Sequence, residues 1–209
     1  DPAAAWTAGL RVLAAAPGDA GMRAALAALA AQLGRDGEWA THLGAALAAL
    51  RQDRGATRDR PSEIRAAATE LAHLAEGRLA DRKTAERAWL AVLDVEADAA
   101  DAFDALDRMY RADARWKDLR ELLERRIGVT AREPARLGLL LQLAVVEEEQ
   151  LAEPARAIAA YRRALELDAA NAEAHRALDR LYTAAAQWGE LEELLARQQD
   201  LARDSAQQV

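Results

Sequence analysis

The sequence predicts an all-α protein built from repeated antiparallel helix pairs, and three observations predict it. Strong helix formers fill most positions: alanine dominates, Leu, Arg and Glu follow, and the strand-favouring Val, Ile and Thr are scarce. A shift of about 72 residues lays residues 71–127 on 143–199 without a gap, with roughly 40% of positions identical. Helix breakers then divide the chain into segments of ordinary helix length. The repeat is more than alanine matching alanine. It registers Leu71 with Leu143, Leu79 with Leu151, Leu93 with Leu165, Leu106 with Leu178, Tyr110 with Tyr182, Trp116 with Trp188, Leu119 with Leu191 and Leu122 with Leu194.

Taken in order, Asp1-Pro2 opens a helix over 2–15, with Asp as N-cap and Pro in the first turn. Pro17-Gly18-Asp19 separates it from a helix over 19–34, and Gly34 to Gly37 separates that from one over 38–53. The polar run Gln52 to Arg60 is the strongest linker candidate, and Pro61 opens the next helix over 62–79. Helices follow over 83–96, 99–112 and 116–128, then a break from Gly128 to Pro134 in which Thr130-Ala-Arg-Glu133 reads as a capping box. The last four run over 134–151, 154–167, 171–185 and 188–203, with Asn171 as an N-cap. Apolar residues recur at three and four, as in Leu178, Leu181, Tyr182 and in Leu191, Leu194, Leu195.

Each unit of about 72 residues therefore holds two helix pairs, which bury their apolar stripes by stacking on neighbours. A worn third copy ends at Trp39, aligned with Trp116 through Leu29 on Leu106 and Leu33 on Tyr110. The expected organisation is worn helices over 1–55, a linker at 56–61, a double pair over 62–128, a linker at 129–133, a second double pair over 134–203 and a polar tail at 204–209.

The net charge of −7 argues against a nucleic-acid backbone as partner. With no cysteine there is no disulfide and no thiolate metal site, and the compartment stays open, the cytoplasm slightly favoured. No apolar run is long enough for a membrane span. Arg and Ala are in excess, as in proteins of GC-rich bacterial genomes, and the start without Met reads as a cut from a longer chain.

Pro154-Ala-Arg-Ala-Ile-Ala-Ala-Tyr-Arg-Arg-Ala-Leu-Glu-Leu-Asp168 resembles the second helix of a tetratricopeptide (TPR) repeat, with small residues at Ala157 and Ala164 and an aromatic at Tyr161. Leu178, Tyr182 and the turn residue Trp188 fit the pair that follows, whereas Ala169 replaces the family's usual Pro and Leu191 its small residue. The resemblance implies a right-handed α-solenoid of about 11 helices whose concave face is lined by the first helix of each pair. It also implies peptide or protein binding rather than catalysis.

No catalytic constellation appears. Two serines, Ser62 and Ser205, and three histidines, His42, His73 and His175, make no triad pattern, and no zinc, phosphate-loop, dinucleotide or calcium motif is present. No cofactor and no metal site are expected. Glu147-Glu148-Glu149 reads as a solvated helix face rather than a cation site. Trp116 and Trp188 read as packing within their turns, Trp89 as core, and Trp6 as cover for an exposed end.

Carrying over the groove positions of the TPR family gives Asp101, Asp104, Arg108 and Arg111 on one first helix, and Glu173, Arg176, Arg180 and Thr183 on its repeat. His73, Glu76 and Glu148 are the candidates on the other first helices. Arg108 and Arg180 recur in register, each after an Asp. Two readings stand: a solvated helix with local Asp–Arg pairs, or a groove for a partner with spaced acidic residues. At the level of function the alternatives are an interaction scaffold and a structural spacer that self-associates or packs on other domains.

Overall fold

The computed structural model describes residues 1–52 and 60–207, and every element among them is helical. The helices are α1 (Pro2–Ala15), α2 (Ala20–Leu33), α3 (Asp36–Gln52), α4 (Pro61–Leu74), α5 (Arg82–Val95), α6 (Ala100–Ala112), α7 (Trp116–Val129), α8 (Glu133–Val145), α9 (Pro154–Leu167), α10 (Ala172–Ala184) and α11 (Trp188–Gln207). Residues 56–59 of the expected linker and 208–209 of the expected tail lie outside the described residues. Packing divides the chain into two compact units, Asp1–Met109 and Tyr110–Val209, so that α6 carries the division.

Within each unit sequential helices pack antiparallel: α1 on α2, α2 on α3, α3 on α4 and α4 on α5 in the first, and α7 on α8, α8 on α9, α9 on α10 and α10 on α11 in the second. The core is what the composition requires. Alanines such as Ala67, Ala68, Ala72, Ala85 and Ala88 are buried between helices that approach closely, while Ile64, Trp89, Val92 and Leu93 supply the volume. Gly9 serves the same end, since a Cβ there would lie 2.9 Å from Leu26 Cδ2. Trp6 is 2% exposed and packs edge-on against Trp39 at 6.3 Å.

Asp1, Asp19, Asp81 and Asn171 each accept a backbone N–H from the first turn of their helix, as N-caps do. The capping box does not form. Arg132 is the N-cap of α8 and makes no side-chain cap bond, and Thr130 instead closes α7, donating its hydroxyl to the Arg126 carbonyl at 2.7 Å.

The helix exits repeat more faithfully than the side chains do. Ala114 and Ala186 end α6 and α10 with φ of 52° and 53°, and Gly34 ends α2 with φ of 68°. In all three the next residue returns its N–H five residues back, Arg35 to Ala30, Arg115 to Tyr110 and Gln187 to Tyr182, the signature of a Schellman cap. The worn copy is thus offset from the next by eighty residues here, not by the spacing of Trp39 and Trp116, and Trp39 falls on the Leu119 position, one turn inside α3. Alanine in the left-handed region costs about 1 kcal/mol that glycine does not pay. Ala114→Gly and Ala186→Gly are therefore expected to stabilise by about 0.5 kcal/mol each, and Gly34→Ala to destabilise by about 1 kcal/mol. Urea midpoints of the three variants check the signs.

The first helices α4 and α8 end differently. Their last turns, Ala75–Leu79 and Val146–Gln150, widen into π turns and exit through Ala80 and Ala152, again at positive φ. Asp81 N–H and Glu153 N–H then reach back to the carbonyls of Ala75 and Glu147.

Candidate functional site

The π turns position the two glutamates that the structure makes most of. Glu76 accepts a hydrogen bond from Trp89 Nε1 at 2.8 Å with one carboxylate oxygen and pairs with Arg108 at 3.1 Å with the other. Seventy-two residues on, Glu148 pairs with Arg180 at 2.7 Å. Each pair ties a first helix to the π turn of the preceding first helix: α6 to the end of α4, and α10 to the end of α8. Tyr161 stands where Trp89 stands. It is 2% exposed, and burial, with Glu148 and Glu173 adding negative potential, pushes its hydroxyl up to about 12. His73 lies edge-on to the Trp89 ring at 5.1 Å.

The candidates of the first unit divide into two groups. His73, Glu76 and Arg108 come together around Trp89. Asp101 does not join them; it pairs with Arg65 of α4 at 3.2 Å, and Glu96 also pairs with Arg65. Asp104 is exposed on α6. In the second unit Arg111 and Glu173 border a groove of about 330 Å³ floored by Gly138, Leu141, Val145 and Val146, with Gln142 beside them. Arg176 turns back on its own helix and donates to the Ala172 carbonyl. Arg108 and Arg180 are each paired with a glutamate of another helix.

Sequence reasoning missed the groove floor. The signal was available: Leu141 and Val145 are one turn apart and offset from the buried set Leu139, Leu140, Leu143 and Ala144, so α8 carries a second apolar face. Also unforeseen is a cavity of about 640 Å³ in the first unit, open because α3 faces it with Gly37, Ala40, Thr41, Gly44 and Ala48.

Glu147 is not part of a solvated acidic face. It is 2% exposed, Arg120 of α7 lies 4.0 Å away, and burial raises its carboxyl above the usual range. The histidines are likewise occupied: His42 packs edge-on to Trp6, and His175 Nε2 meets the Ala169 carbonyl at 2.8 Å. Among the described residues no group of three or more His, Asp or Glu is placed to hold a metal ion, and no helix is long and apolar enough to cross a membrane.

No family model matches the chain, and no curated protein does. Solved structures do resemble it. That of MamA is 12% identical, with 85% of this chain and 95% of that one covered and a TM-score of 0.43. The pilF structure from Pseudomonas aeruginosa is 14% identical, covering 95% of this chain and 77% of that one at a TM-score of 0.41. The TPR2AB-domain:pHSP90 complex of yeast Sti1 is 16% identical, covering 86% and 76% at 0.34. Likeness at this level says nothing about ligands. By its own coordinates and its internal repeat, the chain is an all-α protein of tandem antiparallel helix pairs, TPR-like in architecture.

Proposed function

We propose that the chain is a protein-interaction scaffold that binds an extended peptide or a partner helix along the faces of its first helices. The observation that carries this reading is the groove of the second unit, where Leu141, Val145 and Val146 form an apolar floor between Arg111 and Glu173. An apolar strip between opposite charges fixes both the grip and the direction of a peptide.

Arg108 and Arg180 extend the reading. Their side chains are 67% and 66% exposed, and Glu76 keeps the Trp89 indole as a second partner. Ion pairs with one exposed member contribute about 0–1 kcal/mol, so a ligand carboxylate can take over the guanidinium at little cost. Each offers a contact for an acidic side chain of a partner. Arg108→Ala with Arg180→Ala is expected to weaken binding of an acidic peptide on the order of ten-fold while the unfolding midpoint stays within about 1 kcal/mol. Alanine is the better probe than glutamate, which would add repulsion from Glu76 and Glu148. Unchanged affinity in a folded variant removes the arginines from the site.

A further inference from the structure

The same gap between helices is bridged in one unit and open in the other. In the second unit α7 and α9 both pack on α8, and long charged side chains span them. Glu124 of α7 pairs with Arg163 of α9 at 3.1 Å, and Arg120 of α7 reaches the buried Glu147 at the end of α8. In the first unit α3 and α5 pack on α4 in the same order. There the eighty-residue offset puts Ala40 and Gly44 where α7 has Arg120 and Glu124. The 72-residue offset puts Ala75 and Ala91 where Glu147 and Arg163 stand. Both ion pairs are gone, and the cavity of about 640 Å³ lies between α3 and α5. Helix α2 precedes α3 and α6 follows α5, so the cavity does not arise from where the sequence begins or ends.

Ion pairs tie its two walls at both ends. Asp36 at the start of α3 pairs with Arg78, just before α5, at 2.9 Å, and Arg51 in the last turn of α3 pairs with Asp94 of α5 at 2.8 Å. Between them the floor is apolar, made by Leu47, Leu71 and Ala88.

The dimensions select among occupants. From Gly37 to Arg51 the axis of α3 rises about 21 Å, so the cavity averages about 30 Å² in cross-section. A partner helix, about 10 Å across, is too thick. An extended peptide would lay its N–H and C=O groups against walls whose own backbone groups are bonded within their helices. Thr41 donates to the Gly37 carbonyl and Thr84 accepts from Arg87, so the hydroxyls there are already engaged. A single unbranched alkyl chain needs no hydrogen bond and fits the section. The rim specifies its head group. Arg87 donates to the Lys83 carbonyl and the Thr84 hydroxyl, both neutral, and among the described residues no carboxylate forms an ion pair with it. The other charged groups at the rim are matched, Arg51 by Asp94 and Asp81 by the Thr84 N–H that it caps.

We infer that the cavity between α3 and α5 binds a free single-chain carboxylate, with its alkyl chain along Ala40, Gly44, Leu47 and Leu71 and its acid group on Arg87. This site lies between second helices and is separate from the first-helix surface.

Calorimetric titration with dodecanoate, kept below its micelle concentration, tests the inference. One dodecanoate per chain is expected, bound on the order of ten-fold tighter than dodecyltrimethylammonium, although the net charge of −7 favours the cation. Gly44→Leu fills the cavity from a position where a Cβ meets only Leu71 Cδ2, at 3.9 Å. It is expected to weaken dodecanoate binding by more than about ten-fold at an unfolding midpoint no lower than the parent's. Should that variant not fold, Ala48→Leu on the same wall, at an exposed position, takes its place with the same expectation. Arg87→Gln should remove the preference for the acid. Dodecanoate binding that a folded cavity-filling variant leaves intact overturns the inference, as does equal binding of both head groups by the parent. Saturable binding of a leucine-rich acidic peptide without binding of dodecanoate overturns it in favour of a peptide, and binding to anionic phospholipid vesicles alone overturns it in favour of a membrane surface.

Discussion

Trp89→Ala is expected to destabilise the first unit by about 4 kcal/mol, a large share of the stability of a domain this size. The side chain is 1% exposed, so truncation loses the transfer energy of a whole indole and leaves a cavity among alanines too small to fill it. It also removes the Nε1–H that satisfies Glu76, and the edge that His73 packs against. Trp89→Tyr is expected to cost only about 1–2 kcal/mol, because the second unit holds Tyr161 at the same position beneath Glu148. Guanidinium or urea unfolding followed by far-ultraviolet circular dichroism separates the two. Equal losses for alanine and tyrosine would mean that the indole nitrogen and its carboxylate partner, not the packed volume, hold this layer together.

Most of the fold was legible because it rests on local signals. Helix starts followed Pro2, Pro61 and Pro154 and the caps Asp1 and Asn171, since an N-terminal turn is specified by residues within three positions of it. The periodicity of Leu178, Leu181 and Tyr182 located a buried face for the same reason. Exits were harder. Nothing in the local sequence marks Ala80, Ala114, Ala152 and Ala186 as left-handed, because alanine lacks the conformational freedom by which a glycine signals such an exit. The π turns at Ala75–Leu79 and Val146–Gln150 read as plain helix for the same reason. Thr130 misled because its hydroxyl had two backbone partners within reach, and the preceding helix won.

The candidate surface was half legible. The register of Arg108 with Arg180 was visible, and so was that of Glu76 with Glu148, but their pairing across helices was not, since residues 32 apart meet only through the stack. The Asp101 pair was equally hidden, because Arg65 that holds it has no counterpart one repeat on, where the chain has Leu137. Trp188 exposes a general limit of repeat reasoning. Register alone does not fix burial: Trp188 is 61% exposed while Trp116 is half-buried.

Arg23 is a buried cation of the worn copy, and its removal is the second large effect expected. The residue is 3% exposed on α2, donates to the Pro17 carbonyl and lies 3.4 Å from Glu70 of α4. Burial raises the Glu70 carboxyl above the usual range, while Arg23 and the Trp39 indole hold it down. A carboxyl whose folded value is raised is bound more tightly to its proton in the folded state, so its ionisation costs stability as pH rises from the unfolded value through the folded one. Arg23 offsets that cost. Arg23→Met is therefore expected to destabilise by about 3 kcal/mol at pH 8, and by less as pH falls through the raised folded value of Glu70, where the carboxyl takes up its proton and no longer needs a cation. Adding Glu70→Gln to Arg23→Met should recover most of the loss at pH 8, since the amide carries no charge to strand and can still accept from Trp39. Urea midpoints of the single and double variants at both ends of that pH range decide the matter. A loss that is the same at both, and that Glu70→Gln does not relieve, would assign Arg23 to packing alone, its aliphatic stem filling the space between α2 and α4.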